Sequence, residues 1–129
     1  MCRAVSTYST ISTAGLSRED WLRERKTGIG GSDAGAICGL NPYSSPMDVY
    51  LDKTSEEVSD KDNEAMRQGR DLEEYVARRF MEESGLKVRR SNKMYRSVDH
   101  PFMLADVDRL VVGEDAGLEC KTASAYNAD

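Results

Sequence analysis

"MLADVDRLVVGEDAGLECKT", residues 103–122, decides the reading of this chain. Two runs of strand-forming residues flank a short polar connection, "GEDAG" (113–117), and both carry charges where a sheet would offer an apolar face. Side chains alternate along a strand, so Asp106, Asp108, Leu110 and Val112 share one face of the first run, and Glu119 and Lys121 share one face of the second. A tight turn near Gly113 and Glu114 sets Asp108 opposite Glu119 and Asp106 opposite Lys121, within reach of cross-strand contact. Facing carboxylates repel one another unless a cation or a proton stands between them. A hard, oxygen-seeking ion such as Mg2+ or Mn2+ suits such a cluster. A neighbouring lysine is then placed to hold an attacking water, lower its pKa, or stabilise charge on a phosphate. The plainer reading is that all four residues face solvent and form ion pairs worth about 0 to 1 kcal/mol each.

A third carboxylate lies upstream. The longest helix is predicted over 63–84, with Gly85 past its end and no internal proline. Met66, Gly69, Val76, Ala77 and Phe80 fall on one stripe of it, with Glu73 in the middle, while Glu74 faces outward. A carboxylate in a buried stripe needs a partner. Two are open to Glu73: a lysine or arginine under the sheet, or the ion shared by Asp108 and Glu119.

Shorter helices precede this one. Ser17 is placed to cap a helix from Arg18 to about Lys26, which Gly28, Gly30 and Gly31 end. Ser32 is placed to cap a second through about Cys38, and Ser45 with Pro46 starts a third that reaches about Lys53. Strands are predicted near 86–90, 93–98, 102–112 and 117–122. Helices followed by an antiparallel meander define an α+β arrangement with helices packed on a sheet. The turn in "RERKTGIGGSDAG" (23–35), entering a helix and preceded by Arg23, Arg25 and Lys26, is an anion site in one reading and a structural turn in the other. It is not a Walker A loop, because no Gly-Lys-Ser/Thr follows.

Composition sets the bounds. A chain of 129 residues, 39% hydrophobic and 32% charged, suits one globular domain: a Ser/Thr-rich start over 1–16, either a loose tail or an edge strand, then a single core over 17–129. No run approaches the roughly 20 apolar residues of a membrane span, and the start lacks the features of a secretory signal, so a cytoplasmic location is expected. Cys2, Cys38 and Cys120 are read as structural thiols of a reducing compartment. The net charge of −5 offers no global attraction to nucleic acid, leaving local basic groups and bridging cations. One such group, Arg78, Arg79, Arg89, Arg90, Lys93 and Arg96, fits phosphate contacts or a solvated face equally well. His100, the one histidine, precedes Pro101 without the company a Ser-His-Asp or Cys-His enzyme needs.

Taken in order, "WLRERKTGIGGSDAGAICGLNPYSSP", "GRDLEEYVARRF", "ADVDRL" and "LECKT" resemble the YqaJ-like viral recombinases, relatives of phage lambda exonuclease within the PD-(D/E)xK nuclease superfamily. The resemblance runs from Trp21 to Lys121. It implies a restriction-endonuclease-like core, a central mixed sheet flanked by helices, with the active site on a β-hairpin. It implies that Asp108 and Glu119 hold Mg2+ or Mn2+ with the Cys120 carbonyl, that Glu73 completes the metal site, and that Lys121 positions the attacking water. Asp108 is preferred to Asp106 because it precedes "RLV", although Arg109 stands where the family has glycine. Arg25 and Ser32 resemble the pair that grips the terminal 5′ phosphate.

The implied activity is metal-dependent exonuclease digestion of double-stranded DNA from 5′ ends, serving phage-type homologous recombination in a bacterial host. Implied partners are duplex DNA, a single-strand annealing protein, and further copies of the chain in a ring-shaped homo-trimer. One departure is clear: the family continues past the lysine strand with a helix and further sheet, so this sequence resembles a form truncated at its C-terminus. The competing expectation is therefore an inactive nuclease-derived fragment serving as a DNA-binding or interaction module. A third is an acidic domain that binds Mg2+ or Ca2+ only structurally.

Overall fold

The structure is a computed structural model and describes residues 7–125. In chain order the elements are β1 (Tyr8–Ser12), α1 (Arg18–Arg25), α2 (Gly31–Ile37), α3 (Pro46–Thr54), α4 (Glu64–Ser84), β2 (Val88–Arg90), β3 (Lys93–Ser97), β4 (Leu104–Asp106), β5 (Arg109–Val111) and β6 (Gly117–Leu118). This is a mixed α and β chain, as the sequence pattern predicts.

Local chemistry explains the helix limits. Ser17 accepts the Asp20 N–H at the start of α1, Ser45 accepts the Asp48 N–H at the start of α3 with Pro46 in the first turn, and Asn63 accepts the Met66 N–H at the start of α4. Gly85 ends α4 at φ 73°, a left-handed conformation that a side chain would strain. The start of α2 differs from expectation. Gly30, not Ser32, is its N-cap, because the Asp33 carboxylate accepts the Gly30 N–H at 2.9 Å. Ser32 is thereby released for a different bond.

The described residues divide into two compact units, 7–60 with 92–106, and 61–91 with 107–125. The first holds α1, α2, α3 and an antiparallel sheet in the order β1-β3-β4. Tyr8–Ser12 is thus an edge strand rather than a loose tail. Met94 and Leu104 from the sheet, with Ala36 and Val49 from the helices, are its buried apolar residues. Gly28 passes so close to β4 that a Cβ there would lie 2.6 Å from Leu104 Cγ and 2.7 Å from the Phe102 carbonyl oxygen. Ile29 beside it makes an isolated parallel bridge to Met103. The second unit holds α4 and an antiparallel sheet in the order β2-β5-β6. Ala77 and Val111 are buried in it, together with Ser91 and Arg109.

The expected single mixed sheet is therefore corrected to two small antiparallel ones. The run 102–112 does not form one strand: β4 pairs with β3, β5 pairs with β2 and β6, and Val107 and Asp108 lie between. No Gly or Pro marks that break, so turn chemistry could not announce it. The last expected strand shortens to Gly117–Leu118. None of the described helices is long and apolar enough to cross a membrane.

Candidate functional site

In the second unit, Arg109 pairs with Leu118 and Leu110 with Gly117. Continued by one residue, this register sets Asp108 opposite Glu119, as the hairpin spacing predicts. The ladder itself stops there. The Cys120 N–H donates to Asp108 Oδ2 at 2.7 Å instead of to a strand carbonyl, so a carboxylate ends β6 and draws the 119–121 segment against Asp108. Lys121 Nζ lies 2.8 Å from Glu119 Oε1, an exposed pair. The hydrogen bond and charge of Glu119 hold the Lys121 pKa above its ordinary value, so this ammonium keeps its protons at neutral pH. Burial first, and then the Asp108 charge, push the Cys120 thiol up. A protonated thiol is a poor nucleophile and a poor ligand, which leaves the Cys120 backbone as its useful part.

Glu73 takes the ion-pair partner that its place in the helix stripe allows. It is half-buried and accepts from Arg109 Nη1, while Arg109 Nη2 reaches Glu74 Oε2 at 2.9 Å. Arg109 is 3% exposed, and its Nη1 also donates to the Asp108 carbonyl at 2.8 Å. Burial works to lower the Arg109 pKa, and the bonds and charges of Glu73 and Glu74 more than offset it. Arg109 is thus a fixed cation that ties α4 to the start of β5, directly beside Asp108. Sequence reasoning noted this arginine only as a substitution for glycine. Its signal was present in an acidic pair on the helix that lacked a named cation.

Among the described residues, no group of three or more His, Cys, Asp or Glu side chains is gathered closely enough to hold a metal ion. The donors named for one, the carboxylates of Asp108, Glu119 and Glu73 and the Cys120 carbonyl, are hard oxygens of the kind Mg2+ and Mn2+ take. In chemistry they fit; in placement Glu119 faces Lys121 and Glu73 faces Arg109. Asp106 belongs to the first unit, where it lies opposite Met94 of β3 in the β3–β4 ladder and approaches Arg25 Nε at 4.0 Å.

The first unit brings Arg25 and Ser32 together. Arg25 Nη2 donates to Ser32 Oγ at 2.9 Å, and its guanidinium lies 4.9 Å from the centre of the Trp21 ring. Stacking on an indole holds a guanidinium plane at little cost in hydration. The helix spacing from Trp21 to Arg25 and the Gly-rich turn before Ser32 produce this pair. Three residues of the second basic group serve as ties. Arg79 pairs with Glu82 and Glu83, Arg90 with Glu74, and Arg96 donates to Thr27 and Pro101. His100 is exposed, its ring 6.1 Å from Phe102. Cys38 and Cys120 are free thiols, and Cys2 lies outside the described residues.

The chain is α+β and carries, in order, an arginine–serine pair, an Asp and a Glu-X-Lys segment. Residues 20–129 match the YqaJ-like viral recombinase domain, and the chain belongs to that family. It is 51% identical over 113 residues to the uncharacterized protein YqaJ of Bacillus subtilis (strain 168), a match covering 87% of this chain and 35% of that relative. No solved structure matches it.

Proposed function

We propose that this chain carries the nuclease site of a viral recombination exonuclease, with a restriction-endonuclease-like core that hydrolyses double-stranded DNA from 5′ ends. The reading is supported by family membership and by one observation above all: the Cys120 N–H bond that fastens the Glu119-Cys120-Lys121 segment to Asp108. That bond joins residues twelve apart at the chemistry-bearing end of the hairpin.

Asp108, Glu119 and the Cys120 carbonyl are assigned to Mg2+ or Mn2+, with Glu73 completing the set. A divalent cation bound there supplies Lewis-acid activation of water and charge neutralisation on the phosphate. For these donors to hold one ion, Glu119 would turn from Lys121 and Glu73 would offer an oxygen beyond its contact with Arg109. Lys121, released from Glu119, would orient the attacking water and stabilise negative charge on the phosphoryl oxygens as a hydrogen-bond donor. Arg25 and Ser32 hold the terminal 5′ phosphate, Arg25 by charge and two parallel donors and Ser32 by its hydroxyl. Duplex DNA is the substrate, a single-strand annealing protein is the expected partner, and a homo-trimer the expected assembly in the cytoplasm of a phage-bearing bacterium.

One observation favours a second reading, an inactive DNA-binding or interaction module: the carboxylates pair with Arg109 and Lys121 rather than gather toward a common point. The two readings separate on a linear duplex with 5′ phosphates. Mg2+-dependent digestion that EDTA stops and Lys121→Ala removes supports the nuclease. Folded protein that binds duplex in a salt-dependent way without digesting it supports the module.

A further inference from the structure

We propose that Lys53, acting through Asp33, is the positioning residue that sets the spacing of the Arg25–Ser32 pair and hence the preference for 5′-phosphorylated DNA ends. This rests on the reading of that pair as the phosphate grip.

The Lys53 ammonium donates to the Arg25 carbonyl oxygen at 2.9 Å and lies 3.1 Å from Asp33 Oδ2. Both side chains are largely covered, at 16% and 18% exposed. The same Asp33 oxygen accepts the Gly30 N–H at 2.9 Å, fixing the turn that leads into α2. Ser32, next to Asp33, accepts from Arg25 Nη2 at 2.9 Å. These bonds close a ring: the Arg25 backbone, Lys53, Asp33, the Ser32 hydroxyl, and back to the Arg25 guanidinium. Lys53 bonds both the helix end that carries Arg25 and the residue that follows Ser32.

A lysine covered to this extent is retained only with partners for its charge, and here those partners are the two sides of the pair that would meet the phosphate. Its own helix is tied to the same end of α1 by a second lysine. Lys26 Nζ donates to the carbonyl of Asp52 and, at 2.7 Å, to that of Glu57, on both sides of the α3 C-terminus. Lys53 therefore comes from a supported element. Without it, the "TGIG" turn (27–30) keeps its own bonds, Gly30 N–H to Asp33 and the Ile29 pairing with Phe102 and Leu104, and loses the direct bridge from the Arg25 carbonyl to Asp33. The guanidinium is then free to follow Asp106, which already lies 4.0 Å from Arg25 Nε. Positioning a charged donor matters because a phosphate contact made by two groups loses strength when their separation wanders.

The test compares binding of two linear duplexes, one with 5′ phosphates and one with 5′ hydroxyls, by the 129-residue chain and by Lys53→Met, Asp33→Asn and Arg25→Ala. The wild-type chain is expected to favour the phosphorylated duplex by about tenfold, the scale of one charge-assisted contact. Lys53→Met and Asp33→Asn are expected to bring that ratio close to the Arg25→Ala value while leaving affinity for the hydroxyl duplex unchanged. Asp33→Asn keeps the size of the side chain, so it decides the matter should Lys53→Met fail to fold. Retention of the wild-type ratio in folded Lys53→Met or Asp33→Asn, with Arg25→Ala losing it, overturns the positioning role and leaves the grip intact. Equal binding of both duplexes by wild type and Arg25→Ala overturns the grip itself, and this inference with it.

Discussion

At the scale of single residues, Arg109 carries the most consequence. Its guanidinium is buried and bonded to Glu73, Glu74 and the Asp108 carbonyl, so removing it strands acidic groups and loosens the backbone beside Asp108. Breaking a buried pair by deleting one partner costs about 3 to 5 kcal/mol, and the partial exposure of both glutamates lowers the expected cost of Arg109→Met to about 2 to 3 kcal/mol, measurable by urea unfolding. The pair also gives stability a pH dependence. Arg109, by hydrogen bond and then by charge, holds the Glu74 pKa below its ordinary 4.5. A depressed carboxylate contributes stability that is fully present above that ordinary value and lost as pH falls through the lower folded one. Acid unfolding of the wild-type chain should therefore steepen below pH 4.5, and Arg109→Met should lose this component. An unchanged acid limb in the variant would show that the pair contributes nothing. The sequence displayed this poorly. Glu73 was legible as a carboxylate needing a partner, but which cation reached it depends on how β5 packs against α4, and nothing in local spacing encodes that.

At the scale of elements, the helices and the strands β2 and β3 were legible, and the division of the strands into two sheets was not. Ser17, Ser45, Pro46, Asn63 and Gly85 act by local chemistry, and each marks an observed boundary. Strand pairing is a long-range choice, so the unbroken run of 102–112 concealed a change of sheet at Val107 and Asp108. Ser32 shows a local competition: Asp33, three residues beyond Gly30, captured the Gly30 N–H and left the serine hydroxyl to Arg25. The "GIGG" turn (28–31) breaks the helix, and Gly28 has a second task in letting the chain pass against Leu104 and the Phe102 carbonyl. Because one of those neighbours is backbone, it cannot turn aside. Gly28→Ala is expected to lower stability by about 1 to 3 kcal/mol, the usual cost of overpacking, read from the urea midpoint. A midpoint within error of wild type would mean the turn relaxes freely.

At the scale of the whole molecule, charge and family membership constrain function from different directions. On the proposed reading, a chain with net charge −5 would engage DNA through a few local cations, and its affinity should depend on salt less steeply than that of a basic nucleic-acid-binding domain. Removing Arg25 should reduce the slope of log affinity against log salt by about 1 on 5′-phosphorylated duplex. An unchanged slope would remove Arg25 from the DNA contacts. The order of motifs was legible across the chain, and it led to the family in which the chain belongs. The two-unit division was not legible: it follows from where β4 ends and β5 begins. Whether Asp108, Glu119 and Lys121 form a working phosphodiester-hydrolysing site is decided by digesting a linear duplex that carries a 5′ phosphate at one end and a 5′ hydroxyl at the other. With Mg2+, the wild-type chain is expected to shorten the phosphorylated strand from its 5′ end, and Asp108→Asn and Lys121→Ala to leave it whole. Intact DNA after incubation with folded wild-type protein and Mg2+ or Mn2+, or equal digestion by Asp108→Asn, would contradict such a site.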